Sequence, residues 1–217
     1  MELKEELTKI VKQSKEKAKK RNFKQSLELV MALNDIGLKK ESLNINEVVK
    51  LPNPLSKSSR VCVIADRDLN LRAQKASADL ILSSTDLERF ATRKREARKL
   101  SKEYDFFLAE ASLMPKIGKI LGPFLGPRGR MPLPLTQSSP IETLIQNLKS
   151  SIRIRSRGQF TLACKIGDED LSDEKIAENG LAVISALEKK LPFGRKNIKS
   201  LFIKETMGEP LKIKVEA

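Results

Sequence analysis

The 217 residues contain no histidine, no tryptophan, one tyrosine and two cysteines. The missing imidazole removes the commonest general base and the commonest metal ligand. A Ser-His-Asp or Cys-His catalyst and an HExxH zinc site are therefore excluded. Cys62 and Cys164 lie far apart in apolar, strand-like runs. They read as buried thiols in a reducing compartment, not as a disulfide framework. Aromatic residues make up 4% of the chain, too few for a base-stacking reader of the RRM or OB type. No run reaches the roughly 18 apolar residues that a membrane span needs. The opening Met1-Glu2-Leu3-Lys4-Glu5-Glu6 is charged and precedes no apolar stretch with a small-residue cleavage site. Neither a membrane partner nor secretion is expected. Neither a GxGxxG nor a Gly-Lys-Ser/Thr phosphate loop occurs, and no cofactor is expected.

Positive charge is in excess. Lys and Arg number 42 against 28 Asp and Glu, for a net +14. Such an excess needs a counter-charge, and nucleic acid is the usual one because bound Lys and Arg release counterions from phosphates. The basic residues cluster at Lys15, Lys17, Lys19, Lys20, Arg21 and Lys24, at Arg93, Lys94, Arg95, Arg98, Lys99 and Lys102, at Arg128 and Arg130, and at Lys149, Arg153, Arg155 and Arg157. One such cluster is often only a solvated face; four favour nucleic acid. An anionic membrane surface fits less well, because no basic helix carries large exposed aromatics. With few aromatics, contacts to the backbone, sugars and shape of a folded RNA suit the composition best.

Hydrophobic residues are 40% of the chain, enough for a core. Residues 1–20 read as an amphipathic helix with Leu3, Leu7, Ile10, Val11 and Ala18 on one face. A strand follows from Phe23, with Leu27 and Leu29 alternating against Ser26 and Glu28. Turn signals at Ile36-Gly37, Leu51-Pro52-Asn53-Pro54 and Ser58-Ser59 flank a strand at Asn46–Lys50. The middle of the chain reads differently. Val61–Ala65, Asp79–Leu82 and Asp105–Ala109 are short apolar runs, as strands dry on both faces would be. Helices are expected at Asn70–Ala78, over Ser84–Lys102 in two pieces, at Met114–Leu121 and at Pro140–Ser150. From residue 151 alternation returns: Ile152 and Ile154 against Arg153 and Arg155, then Phe160, Leu162, Cys164 and Ile166 against Thr161, Ala163 and Lys165. One helix opens at Ser172 or Asp173, with Ile176, Gly180, Ile184 and Leu187 inward. The acids Asp168-Glu169-Asp170 read as its cap. Alternation resumes at Leu201 and Ile203 and ends at Leu211, Ile213 and Val215, against Lys212 and Lys214.

The ends of the chain thus resemble each other and not the middle. Residues 1–60 alone offer too little for a core. The expected fold is α/β (α+β): a discontinuous two-layer α+β domain, residues 1–65 and 157–217, with an inserted Rossmann-like three-layer α/β domain, residues 66–156. The two crossings, near Ala65-Asp66 and Ser156-Arg157-Gly158, would form a hinge.

Two motifs stand out. In Leu121-Gly122-Pro123-Phe124-Leu125-Gly126-Pro127-Arg128-Gly129-Arg130-Met131-Pro132, glycine and proline enforce a tight loop. Its amides and arginines could meet phosphate, or the loop could be a rigid connector. In Glu205-Thr206-Met207-Gly208-Glu209-Pro210, Gly208 permits positive φ or a close approach, Thr206 offers a hydroxyl and Met207 an apolar cap. An ordinary hairpin turn reads the same way. No catalytic constellation assembles, and no enzyme activity is expected. The alternative is a nucleotide-binding enzyme using the central α/β domain, with Arg128 and Arg130 on phosphate; the missing histidine and glycine fingerprint stand against it.

Asp105-Phe106-Phe107-Leu108-Ala109, Leu113-Met114-Pro115, Gly126-Pro127-Arg128-Gly129-Arg130-Met131-Pro132 and Thr206-Met207-Gly208, in this order and spacing, resemble the ribosomal protein L-one family of large-subunit stalk proteins. Arg21-Asn22-Phe23-Lys24-Gln25-Ser26 is similar to its archaeal branch. The resemblance covers essentially the whole chain. It implies the same discontinuous layout and a cytoplasmic, ribosomal protein, monomeric when free. It implies that the terminal-block domain binds large-subunit rRNA, that the protein forms the mobile stalk beside the exit-site tRNA and assists release of deacylated tRNA, and that it represses translation by binding its own mRNA in the leader or coding region. The implied RNA-binding residues are Phe23, Ser26, Glu28, Lys165, Gly167, Ser200, Thr206, Met207 and Gly208. Gly126, Arg128, Gly129 and Arg130 form an implied secondary RNA or tRNA contact loop.

Overall fold

The computed structural model describes residues 2–34 and 44–213. The turn expected at Ile36-Gly37 and the end of the last strand at Lys214 and Val215 lie outside them. In chain order the elements are α1 (Glu2–Lys17), β1 (Ser26–Leu33), β2 (Asn44–Lys50), β3 (Val61–Ile64), α2 (Arg67–Lys75), β4 (Leu80–Leu82), α3 (Ser84–Thr92), α4 (Lys94–Glu103), β5 (Phe106–Glu110), α5 (Met114–Ile120), α6 (Gly122–Leu125), β6 (Leu133–Leu135), α7 (Ile141–Lys149), β7 (Ser151–Arg157), β8 (Thr161–Asp168), α8 (Asp173–Glu188), β9 (Ile198–Glu205) and β10 (Leu211–Ile213). They divide into unit 1, Met1–Lys57 with Ser150–Ala217, and unit 2, Ser58–Lys149.

Unit 1 is built on period-two patterning. Along β1, Leu27, Leu29, Met31 and Leu33 face the core while Ser26, Glu28, Val30 and Ala32 stay half-exposed. The strand pairs antiparallel with β8 on one side and β9 on the other, and β10 extends the sheet. A second ladder joins β2 to β7. Leu7 and Val11 of α1 and Ile176, Ala177, Val183, Ile184 and Leu187 of α8 join the inward residues in one core. One buried polar group in this unit is fully paired. Asn179 of α8 donates to the carbonyls of Asn53 (3.0 Å) and Ile166 (2.9 Å) and accepts from the Asn53 N–H (3.0 Å). It pins the Pro-rich segment after β2, whose own backbone would otherwise lack partners.

Unit 2 follows a different rule. Its sheet has the order β4-β3-β5-β6, all parallel. Successive residues of β3 and β5 enter two separate cores. Val61, Val63, Phe106 and Leu108 meet α2 and α7 on one face. Cys62, Ile64, Phe107 and Ala109 meet α3, α4 and α5 on the other. A strand dry on both sides has no polar positions, which is why these runs are uniformly apolar. Burial pushes the Cys62 thiol well above its ordinary value, as an inert core cysteine requires. A capping box opens α3, where Ser83 and Asp86 bond each other's backbone N–H.

The crossings between the units fall at Lys57–Ser58 and Lys149–Ser150, earlier than the alternation alone placed them. β3 pairs with β4 and β5 and so belongs to unit 2. β7 pairs with β2 and so belongs to unit 1. The first strand starts at Ser26, leaving Phe23 ahead of it. β6 was not legible, because Pro132 and Pro134 mask a short parallel strand at the sheet edge.

The Gly/Pro motif connects α5 to β6. Its first part is the helical turn α6, and Gly129 takes φ 66°, where glycine avoids a Cβ clash. Arg130 turns inward. Its Nη1 donates to the carbonyls of Ser101 (3.1 Å), Lys102 (3.3 Å) and Tyr104 (2.6 Å), and its Nη2 pairs with Asp105 (3.1 Å). The guanidinium thus satisfies the orphan carbonyls at the C-terminus of α4. A lysine cannot span these four acceptors. Arg130→Lys is expected to cost about 1–3 kcal/mol in urea unfolding, while Arg128→Lys at the exposed neighbour stays within about 0.5 kcal/mol. Equal costs would remove this role from Arg130.

Candidate nucleic-acid interface

The first strand of unit 1 begins where its two neighbours end. Ser26 lies opposite Asp168 of β8, and Leu27 lies opposite both Gly167 of β8 and Glu205 of β9. The segment before β1 therefore meets the turn after β9. Thr206 closes this junction. Its Oγ1 accepts from the Ser26 N–H (3.1 Å) and donates to the Ser26 carbonyl (3.2 Å), while its own N–H donates to that carbonyl (3.0 Å). The hydroxyl thus has its proton committed and retains a lone pair.

Gln25 lies beneath, 1% exposed. Its Nε2 donates to Glu205 Oε2 (2.9 Å) and to the Lys19 carbonyl (3.2 Å), and its Oε1 accepts from the Met207 N–H (3.2 Å). Its backbone carbonyl accepts from Glu169 N–H (3.3 Å). Three stretches of chain, at Lys19, Glu169 and Glu205–Met207, are tied at this one residue. Glu205 is also 1% exposed. Burial first, then the nearby Glu169 charge, raises its pKa, with Lys15 opposing.

Two glycines here serve close packing. A Cβ on Gly167 would stand 2.6 Å from Cγ1 of Ile176, so α8 can lie against β8 only over glycine. A Cβ on Gly208 would lie 3.2 Å from that of Glu205, and the Gly208 N–H donates back to the Glu205 carbonyl. Gly208 thus serves close approach; positive φ occurs at Gly129, Gly158 and Gly194 instead. Between Leu27 and Glu28 the register with β8 shifts, leaving Ile166 as an extra residue. Such a bulge adds twist and re-aims neighbouring side chains.

Above this framework the surface is apolar and charged together. Phe23 is 53% exposed and Met207 62%, and neither contributes to the core. Glu28 stands between Lys165 of β8 and Lys204 of β9 across the ladders. Lys165 also pairs with Asp168. Asp168 further accepts from Ser56 N–H, and Asp170 pairs with Lys24. These two acids therefore bind partners other than the start of α8, where capping was expected. Lys19, Lys20 and Arg21, all exposed, precede Phe23.

The structure brings together Phe23, Ser26, Glu28, Lys165, Gly167, Thr206, Met207 and Gly208 at one end of the sheet. It does not bring Ser200 to them. Ser200 lies opposite Ala32, six residues along β9 from Thr206 or about 20 Å at strand rise, and is buried. Gly126, Arg128, Gly129 and Arg130 belong to unit 2, and the Arg130 guanidinium is occupied there. Sequence reasoning missed Gln25 and Glu205. A signal for Glu205 was present: it falls on the inward register of Leu201 and Ile203, where a carboxylate needs a partner.

In unit 2, a crevice of about 400 Å³ is lined by Asp66, Arg67, Asp68, Leu69, Glu110 and Gln137, at the carboxyl ends of β3, β5 and β6. Parallel sheets often bind nucleotides at such a place. Here three carboxylates face one arginine, and Glu110 accepts from the Asp66 N–H. Phosphate would meet net like charge. No group of three or more acidic or cysteine ligands suited to a metal occurs among the described residues. No described helix is long and apolar enough to cross a membrane.

Residues 12–209 match the model of the Ribosomal protein L1p/L10e family. The chain is 45% identical over 207 residues to "Large ribosomal subunit protein uL1" of Cenarchaeum symbiosum, covering 95% of each chain. It is 36% identical over 211 residues to the protein of that name from Methanothermobacter thermautotrophicus, covering 97% of this chain and 100% of the relative. With that of Thermococcus kodakarensis it shares 42% identity over 211 residues, 96% of this chain and 97% of the relative.

The raised pKa of Glu205 gives a pH dependence with a definite sign. The folded state holds the proton more tightly than the unfolded chain, so this carboxyl favours folding when protonated. Stability falls as pH rises from the ordinary carboxylate value through the raised one. Glu205→Gln keeps an oxygen to accept from Gln25 and removes the charge. Its melting temperature at pH 7 is expected to equal or exceed the parent's, and this fall is expected to shrink. A variant melting well below the parent at pH 7 would show that the charge itself is required.

Proposed function

This chain belongs to the Ribosomal protein L1p/L10e family, and from that premise we propose that it is a large-subunit ribosomal protein whose unit 1 binds rRNA directly at the Ser26–Thr206 junction. The single observation that carries this reading is the meeting of the Phe23–Ser26 segment with the Thr206–Gly208 turn through Gln25 and Thr206. Its role is that of a ribosome component in the cytoplasm, not of an enzyme.

The chemistry suits a folded RNA. Phe23 and Met207 offer exposed apolar surface to a base or ribose. Ser26 and the remaining lone pair of Thr206 suit a ribose 2′-hydroxyl, which distinguishes RNA from DNA. Lys19, Lys20 and Arg21 add salt-dependent attraction to phosphates. Lys165 and Lys204, flanking Glu28, set a charge pattern on the sheet that a particular arrangement of phosphates would match.

The finer role is proposed on the family resemblance. The protein would form the mobile stalk beside the exit-site tRNA and assist release of deacylated tRNA. The chain passes between its two units twice, at Lys57–Ser58 and Lys149–Ser150, and two single-chain connections suit a hinge. By the same resemblance, the surface proposed for rRNA would also bind the protein's own mRNA, in its leader or coding region, and repress translation.

A gel-shift titration with large-subunit rRNA fragments at fixed salt tests this. Met207→Asp places a carboxylate where apolar contact and phosphate lie. A loss of affinity of about tenfold or more, about 1.4 kcal/mol, is expected, and the same factor is expected for a fragment of the protein's own mRNA. An unchanged rRNA affinity would place the RNA elsewhere. Loss for rRNA with unchanged mRNA binding would separate the two sites.

A further inference from the structure

The Gly/Pro motif lies in unit 2, and the Arg130 contacts account for only its second half. Arg130 closes α4, but Pro123 and Phe124 lie at the other end of the motif. There they line a cleft of about 350 Å³ with Phe90, Ala91, Lys94, Lys119 and Ile120. The cleft lies wholly within unit 2, among α3, α4, α5 and α6.

Its walls divide by chemistry. Phe90, Ile120 and Phe124 pack against the core formed by Cys62, Ile64, Phe107, Leu87 and Ile117, and remain partly exposed. They are thus held from behind and open in front. Lys94 and Lys119 are exposed, and neither ammonium makes a hydrogen bond or ion pair with any described residue. The nearby Lys116 differs, because Glu88 neutralises it at 2.8 Å. The helix that bears Lys94 carries Lys94, Arg95, Arg98, Lys99 and Lys102 against Glu96 and Glu103.

We propose that this cleft binds one unpaired nucleotide of RNA, its base against Phe90 and Phe124 and its flanking phosphates on Lys94 and Lys119. The volume lies in the range of small-ligand sites, about 300–1,000 Å³. Aromatic walls with cations beside them are the elements of single-strand binding, because every base has a π-face and every linkage a charge. An acidic peptide fits less well, because its carboxylates would engage Lys94 and Lys119 and leave the aromatic faces of Phe90 and Phe124 without a partner. This site is independent of the junction at Thr206 and does not rest on that assignment.

The test uses the full chain carrying Met207→Asp, so that binding at unit 1 is already impaired. The probe is a fluorescein-labelled six-residue oligoadenylate, read by anisotropy across a salt series, with ultraviolet cross-links mapped by mass spectrometry. Cross-links are expected on the peptides holding Phe90 and Phe124. Lys94→Gln and Lys119→Gln are each expected to lower the slope of log affinity against log salt by about 0.7. Phe124→Leu keeps the core filled and is expected to weaken binding about fivefold or more with the slope unchanged. Unchanged affinity and slope in the lysine variants would overturn the proposal. So would cross-links confined to unit 1. Displacement of the RNA by hexaglutamate at equal concentration would also overturn it, by marking an acidic-peptide site. Loss of rRNA binding in Met207→Asp with these results negative would sink this site and leave the first intact.

Discussion

Gln25 commits both ends of its side-chain amide to the far end of the chain, Nε2 to Glu205 and Oε1 to the Met207 N–H. Everything at that end of unit 1 takes its position from this buried contact. The adjacent Ser26 receives Thr206, β1 starts there, and the register of three strands follows. Local pairing cannot make this contact, because 180 residues separate Gln25 from Glu205. The loop that must close contains the whole of unit 2. Loop-closure cost grows only slowly with length, so a folded insertion can be accommodated without loosening the junction.

Burial and exposure divide the labour at the junction. A buried amide and carboxyl fix the backbone, and low dielectric makes their mutual satisfaction obligatory. Glu205 accepts a raised pKa as the consequence. Immediately above, Phe23 and Met207 remain exposed where a folding force alone would cover them. Exposed large apolar side chains on a rigid base, bordered by lysines and arginine, are what the proposed RNA-binding surface would present. Gly167 shows how narrow the design is, since a methyl group there would collide with Ile176 and push α8 off the sheet. Unit 2 uses the opposite arrangement, two dry cores around a parallel sheet, and its carboxylate-lined crevice suits no phosphate.

Much of this could be read from residues. Period-two alternation marked β1, β7, β8 and β9, and unbroken apolar runs marked β3 and β5, because one or both faces of those strands are dry. The break in character between ends and middle showed the insertion. Its boundaries slipped because a strand declares its burial but not its partner: Val61–Ile64 and Ser151–Arg157 each sit beside a crossing, and only pairing assigns them. The bulge at Ile166 was hidden, since one extra residue leaves the alternation of β8 nearly intact. Arg130 and Gln25 were hidden for another reason. Most of their partners are main-chain carbonyls and N–H groups, which every residue carries, and their side-chain partners, Asp105 and Glu205, lie 25 and 180 residues away, so no local pattern marks them. Ser200 shows the converse: a hydroxyl close in sequence to Thr206 lies far from it along an extended strand.

The claim beneath this account is that the two chain ends form one RNA-binding surface. Hydrogen–deuterium exchange of the full chain, with and without a large-subunit rRNA fragment, tests it most directly. The account predicts that amides of residues 19–28 and 205–209 gain protection together when the RNA binds, while the sheet beneath is unchanged. Protection confined to one of these segments, or placed elsewhere with both exchanging as in the free protein, would contradict it.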